Sequence, residues 1–216
     1  DRCTEGEAHH PIFIALADVL AKHRISRQLL ADLLTAFRMD VTTQRYATFD
    51  DVLHYCRHSA NPIGRMVLQL FGDFREDSGV LSDKICTALQ LTNFWQDVRL
   101  DAQKGRIYIP LEDMHRFGYT ERELLTGIIN EQFRELLRFQ VSRTREFFHA
   151  GAALVRTAVP HLRFELRLTW LGGMRILKKI EDAGFDVLTT RPTLRAADKI
   201  SLLLKATLPT TTKGGW

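Results

Sequence analysis

A chain of 216 residues with 45% apolar and 26% charged content is long enough to bury one real core and has the balance of a globular domain. Its longest apolar runs fall well short of a helical membrane span, which excludes an integral helical membrane protein. The formal charge of +4 suits an anionic ligand, yet the Lys and Arg residues are scattered rather than gathered in one basic tract, which argues against nucleic acid.

Helical periodicity runs along the chain and sustained apolar/polar alternation is absent, so the expected class is all-α. In chain order the pattern predicts helices over Pro11 to Lys22, Arg27 to Arg38, Phe49 to Phe71, Leu81 to Ala102, Thr120 to Gly127, Glu131 to Val155, His161 to Ala183 and Leu194 to Leu208. Pro11 suits a first helical position, Ser26 and Ser82 suit caps, and Gly72, Gly105 and Gly184 follow helix ends. Within the third segment, Asn61-Pro62-Ile63-Gly64 interrupts an apolar run, and Pro62 removes a backbone donor, so a kink or break is expected near Asn61. One domain is expected over 1–208, with a frayed Thr- and Gly-rich tail at 209–216. Three cysteines, Cys3, Cys56 and Cys86, have no metal-ligand spacing and imply neither a disulfide framework nor a zinc site; a reducing cytoplasm fits them.

The chemistry-bearing segment is the fourth helix. At 100° per residue, Gln90, Asn93, Asp97 and Asp101 fall within about 80° of one another on one face. Ile85, Leu89 and Leu100 flank this stripe on one side, and Leu91, Phe94 and Val98 on the other. A second polar line, Lys84, Thr92 and Arg99, lies roughly opposite, and only one of the two is expected to be the main solvent face. A solvated face usually mixes Lys and Glu; this stripe holds two carboxylates, two amides and no cation. Like charges one turn apart call for a counter-cation, and an oxygen-only donor set at that spacing suits Mg²⁺, which takes one or two carboxylates and completes its shell with water and phosphate oxygens. Directly afterwards, Lys104-Gly105-Arg106-Ile107-Tyr108 ends the helix and brings two cations within three residues.

The string ALQLTNFWQDVRLDAQKGRIYIP resembles the second Asp-rich motif of the squalene and phytoene synthases, a family of helical prenyl-transferring enzymes. The likeness extends upstream through FRMDVTTQRYATFDDVLHYCRHSANPIGR and downstream through GGMRILKKIEDAGFDVLTTRPTL, so it covers about residues 11–208. NFWQDV, SANPIG, Gly172-Gly173 and Arg191-Pro192 look most like the bacterial hopanoid branch that makes hydroxysqualene. The resemblance implies the helical isoprenoid-synthase fold around a central cavity, with Asp97 and Asp101 as magnesium-binding carboxylates and Gln90 and Asn93 beside the metal or diphosphate. It also implies Arg45, Tyr55 and Gly64 near the substrate, Lys104, Arg106 and Tyr108 on the loop after the motif with Tyr108 among the catalytic groups, and Arg191 near the diphosphate.

The implied substrate is presqualene diphosphate or farnesyl diphosphate, the implied reaction ionisation of the diphosphate, cation rearrangement and capture by water. Head-to-head condensation of two prenyl diphosphates stands as the alternative enzyme reading, and a non-catalytic helical binding protein descended from such enzymes as an alternative of another class. The family's first Asp-rich motif is not found: Asp18 has no partner four residues away, Asp40 matches a separate position, and Asp50-Asp51 suits a helix start. The first residue is Asp1 and the earliest Met is Met39, so the chain is expected to begin inside a longer protein and to leave apolar surface uncovered. Long hydrocarbon substrates imply peripheral contact with the membrane's inner face. The segment DKISLLLKATL has core packing as its first reading and the bilayer surface as its second.

Overall fold

The computed structural model describes residues 10–207, and among these the architecture is helical, with an isolated bridge between Arg45 and Ile107 as its β pairing. The helices are α1 (Pro11–His23), α2 (Arg27–Thr42), α3 (Phe49–Ser59), α4 (Asn61–Leu70), α5 (Glu76–Gln103), α6 (Leu111–Arg116), α7 (Glu121–Thr126), α8 (Glu131–Gly151), α9 (Leu154–Thr157), α10 (Pro160–Asp182) and α11 (Ala196–Thr207). Local chemistry sets most of their starts. Ser26 accepts from the Gln28 N–H, Thr48 and Asp51 form a reciprocal capping box, and Asn130 accepts from the Phe133 N–H.

The break expected near Asn61 is present: α3 ends at Ser59 and α4 starts at Asn61, with Pro62 in the first turn, where its missing N–H costs nothing. Other boundaries differ from the sequence expectation. α5 starts at Glu76 rather than Leu81, because Gly79 continues the helix while lying against Phe74 and Arg65, and Ser82 is an interior residue rather than a cap. Ser78 takes the capping role by accepting from the Arg75 N–H at 2.9 Å. The short helices α6 and α9 are additions to the expected set. Leu208 and the tail at 209–216 lie outside the described residues.

α5 is the axis of the domain, packing most extensively on α8 and α4 and also touching α3, α7, α9 and α10. Its buried side carries Ala88, Leu91, Thr92, Phe94, Trp95 and Val98. Trp95 is fully buried and donates its indole N–H to Thr144 of α8 at 2.8 Å, joining the two helices by one polar and many apolar contacts. Arg65 grips Asp83 with bonds of 3.0 and 2.8 Å and so fixes α4 beside α5. Small residues set the separations. A Cβ on Gly64 would sit 2.3 Å from Ser82 Oγ, and one on Gly151 would sit 2.9 Å from the Leu81 carbonyl oxygen.

The burial of Thr92 decides which polar line of α5 is open. Thr92 is 4% exposed and returns its hydroxyl to the Ala88 carbonyl, so the line opposite the acidic stripe is buried at its centre, with Lys84 half-buried and Arg99 exposed at its ends. The stripe of Gln90, Asn93, Asp97 and Asp101 lies on the open side. Its apolar borders are unequal: Phe94 and Val98 are buried, whereas Leu100 is 41% exposed.

Candidate active site

Four groups of side chains converge around the C-terminal half of α5. The first is the carboxylate face. Asn93 donates to Asp97 at 3.0 Å, which orients that carboxylate along the helix. Asp101, one turn further on, is half-buried, and its carboxyl is pushed above the usual range by burial first and by the charge of Asp97 second. Lys104, Arg106 and Arg191 pull it back only in part.

The second group is a strap. Between α10 and α11 the chain runs back across α5 and is pinned there by three α5 side chains. Gln96 donates to the Pro192 carbonyl, Arg99 donates to the Leu188 carbonyl at 2.7 Å, and Asp97 accepts from Arg191 through Nε and, at 3.0 Å, Nη2. The counter-cation that the sequence stripe lacks is therefore Arg191, from 94 residues away in sequence. Its guanidinium is held charged more firmly than usual by the hydrogen bonds to Asp97.

The third group is the loop after α5. The Ile107 N–H donates to the Gln44 carbonyl at 3.0 Å and the Leu111 N–H to the Tyr46 carbonyl at 2.9 Å, so residues 104–111 are laid along the segment entering α3. Arg45 locks this arrangement by donating to Glu121 and to the Gly105 and Gln44 carbonyls. Arg106 donates to the Asp40 carbonyl at 3.0 Å, while Lys104, the α5 C-cap, is exposed.

The fourth group is aromatic. Tyr108 stacks on Phe94 with ring centroids 3.8 Å apart and planes 9° apart, and Tyr46 stacks on the same tyrosine at 5.5 Å. Tyr55 closes the cluster and donates its hydroxyl to Asp40 at 2.8 Å. Burial, followed by the bond to Asp40, drives the Tyr55 hydroxyl well above its ordinary range, so it remains a donor. Phe94, Val98, Asp101, Arg106 and Tyr108 together border a recess of about 10 Å³, which has room for one water and not for a hydrocarbon chain.

Of the residues singled out from sequence, Asn93, Asp97, Asp101 and Arg191 are thus brought together, with Arg106 and Tyr108 at the adjoining recess. Gln90 lies half-buried on the same face one turn earlier. Arg45 serves the loop rather than opening to solvent, and Tyr55 belongs to the aromatic wall. Gly64 sits where α4 and α5 touch. Sequence reasoning missed Gln96 and Arg99 as holders of the strap, Phe94 as the partner of Tyr108, and Tyr46. A weak signal existed for Tyr46, which follows Arg45 directly.

The donor set tests well against a hard divalent cation. Asp97, Asp101 and the Asn93 amide offer oxygen donors along one helix face, the donor type that a hard divalent cation takes. Among the described residues no group of three or more His, Cys, Asp or Glu side chains is placed to hold a metal ion.

The fold and site define a class, that of helical isoprenoid-synthase folds with a carboxylate-bearing helix facing a cationic strap. Similar solved structures include a squalene synthase HpnC from Alicyclobacillus acidocaldarius, with TM-score 0.83 and 36% identity over 86% of this chain and 70% of that one. A dehydrosqualene synthase in complex with ligand gives TM-score 0.86 and 25% identity over 95% of this chain and 73% of that one. The squalene/phytoene synthase family matches residues 1–198, and the chain belongs to that family. Among curated relatives, the phytoene synthase of Arthrospira platensis is 34% identical over 199 residues, spanning 86% of this chain and 64% of its own length. The 15-cis-phytoene synthase of Synechococcus elongatus is 30% identical over 96% of this chain and 73% of its own length. The chain thus spans roughly two thirds of the length of these relatives. No helix among the described residues is long and apolar enough to cross a membrane.

Proposed function

We propose that this chain carries the diphosphate-ionising half-site of a prenyl diphosphate synthase, acting on presqualene diphosphate to give hydroxysqualene. The observation that carries the reading is the convergence of Asp97 and Asp101 on one open helix face with Arg191 hydrogen-bonded across it. A magnesium ion held by Asp97 and Asp101, with Asn93 beside it, would supply positive charge to the leaving diphosphate. The chain's own cations act with it: Arg191 is placed to exchange its bond to Asp97 for one to phosphate oxygens, and Arg106 and Lys104 stand at the other edge of the face. Tyr108 and Phe94 present stacked aromatic rings beside Asp101, a wall that favours a carbocation and offers no strong nucleophile; a cation–π contact there contributes about 0.5–2 kcal/mol. Loss of diphosphate and rearrangement of the cation followed by addition of water and release of a proton balances without a reductant.

The likeness to the squalene synthase HpnC supports the squalene-forming branch, and the strings NFWQDV and SANPIG, which resemble the hydroxysqualene enzymes, support the finer reading. The curated relatives, which carry the name phytoene synthase, favour a second reading, head-to-head condensation of two prenyl diphosphates through the same metal and strap. Incubating purified protein and Mg²⁺ with presqualene diphosphate and farnesyl diphosphate in separate reactions, with products identified by mass spectrometry, separates them. Hydroxysqualene from presqualene diphosphate is expected. Consumption of farnesyl diphosphate with presqualene diphosphate untouched as a substrate would establish the second reading instead.

A further inference from the structure

We propose that His54 and His58, one turn apart on the outward side of α3, form a two-histidine site for a borderline divalent cation, with zinc as the ion it takes. Val52, Tyr55 and Cys56 turn the other side of the helix into the core, which leaves His54 exposed and His58 half-buried. Histidines four apart on a helix present both rings on one face, the spacing by which helices hold zinc. Here the rings are already close, with centroids 4.6 Å apart. Imidazoles bound to one zinc ion at about 2.0–2.1 Å have centroids about 3.2 Å from the metal; ligand angles of about 90–110° then set the rings about 4.5–5.2 Å apart. The observed spacing falls inside that range.

Hydrogen bonding leaves a lone pair on each ring. His58 Nδ1 lies 2.9 Å from the His54 carbonyl, which only accepts, so the neutral His58 ring carries its proton on Nδ1 and keeps the Nε2 lone pair for a ligand. A carbonyl behind the other ring nitrogen is the support that metal-binding histidines ordinarily have. His54 Nδ1 takes a long contact of 3.4 Å from Arg57 Nη2; a guanidinium only donates, so this nitrogen is an acceptor, and the exposed Arg57 is free to swing away from it. Burial, then the charges of His58 and Arg57, hold His54 below its usual pKa, which keeps the ring neutral at pH 7 and able to ligate. Arg57 opposes a bound cation, whereas Asp51 in the preceding turn favours one. Two imidazole nitrogens suit zinc, copper or nickel rather than magnesium, with water in the open positions. An ion held here ties two successive turns of α3, the helix that carries Tyr55. The site is separate from the carboxylate face of α5 and does not rest on the prenyl diphosphate reading.

The test is calorimetric titration of the full 216-residue chain with Zn²⁺ in the presence of excess Mg²⁺, which occupies oxygen-only sites, alongside thermal melting. One equivalent of zinc is expected at the pair. His54→Gln and His58→Gln should each weaken that equivalent by about tenfold or more with circular dichroism unchanged. Zinc at about a hundred times its Kd should raise the melting temperature of the wild type by about 5–10 °C, and that of either variant much less. A third variant, Cys3→Ala with His9→Ala and His10→Ala, removes the other closely spaced ligand types in the sequence and should bind at the pair as the wild type does. Absence of zinc binding, binding undiminished in both glutamine variants, or loss of all binding in the third variant would overturn the proposal.

Discussion

Gly64→Ala separates a packing role from a ligand role at one of the positions implied by family resemblance. The glycine has ordinary helical backbone, so alanine on its own would stabilise α4 by about 0.5–1 kcal/mol. A Cβ there, however, would lie 2.3 Å from Ser82 Oγ and 2.5 Å from Cys86 Sγ, both on α5. Overpacking of that kind costs about 1–3 kcal/mol, so it outweighs the propensity gain and the expected net loss is about 1–2 kcal/mol. The remaining neighbour, Ser82 Cβ, is 3.6 Å away, an ordinary contact. In a background carrying Ser82→Ala and Cys86→Ala the same Gly64→Ala change should therefore become neutral or stabilising. Urea unfolding of the four proteins, two with Gly64 and two with alanine, measures both effects and their coupling. A loss of similar size in both backgrounds would refute the contact as the reason for glycine.

Three further outcomes follow from the charges and aromatic groups. Asp198→Asn should destabilise the chain at neutral pH. Because the pairing with Lys179, the Arg195 N–H and Arg175 holds the folded carboxyl below its ordinary value, that stabilisation is present above the unfolded pKa of about 4 and fades as pH falls through the folded one; a difference between wild type and variant that persists unchanged well into acid would contradict the assignment. Burial raises the hydroxyl pKa of all four tyrosines, Tyr46, Tyr55, Tyr108 and Tyr119. A spectrophotometric titration should then show little phenolate at about pH 10 in the folded chain, and stability should decline as pH rises beyond that ordinary value; normal tyrosine ionisation with the fold intact would be inconsistent with the aromatic cluster. Tyr55→Phe leaves Asp40 without its 2.8 Å donor and should cost about 1.5–3 kcal/mol in thermal or urea unfolding, so a variant as stable as wild type would show that bond to be inconsequential.

Much of the helical architecture was legible because it depends on local chemistry. Ser26 and the Thr48–Asp51 box mark starts, and Pro62 marks the break between α3 and α4. The start of α5 was misread because Gly79 and Ser82 look like punctuation in one dimension. In three dimensions Gly79 lies under Phe74, and Ser82 is spent on the contact with Gly64 and Cys86. The acidic stripe was visible from helical spacing, but which polar line faced outward was not, since that depends on the tertiary packing that buries Thr92. Arg191 was flagged by resemblance alone. Its bond to Asp97, and the Gln96 and Arg99 bonds that hold its strap, join residues about 90 positions apart, a separation that periodicity does not encode.

In the proposed reaction Asp97 and Asp101 hold a metal-bound diphosphate. Calorimetric titration of the purified chain with inorganic pyrophosphate, with and without Mg²⁺, tests it without requiring turnover. Mg²⁺-dependent binding is expected, weakened by about tenfold or more in Asp97→Asn and in Asp101→Asn while both variants keep wild-type circular dichroism. Binding that ignores Mg²⁺, or that survives both substitutions undiminished, would contradict it.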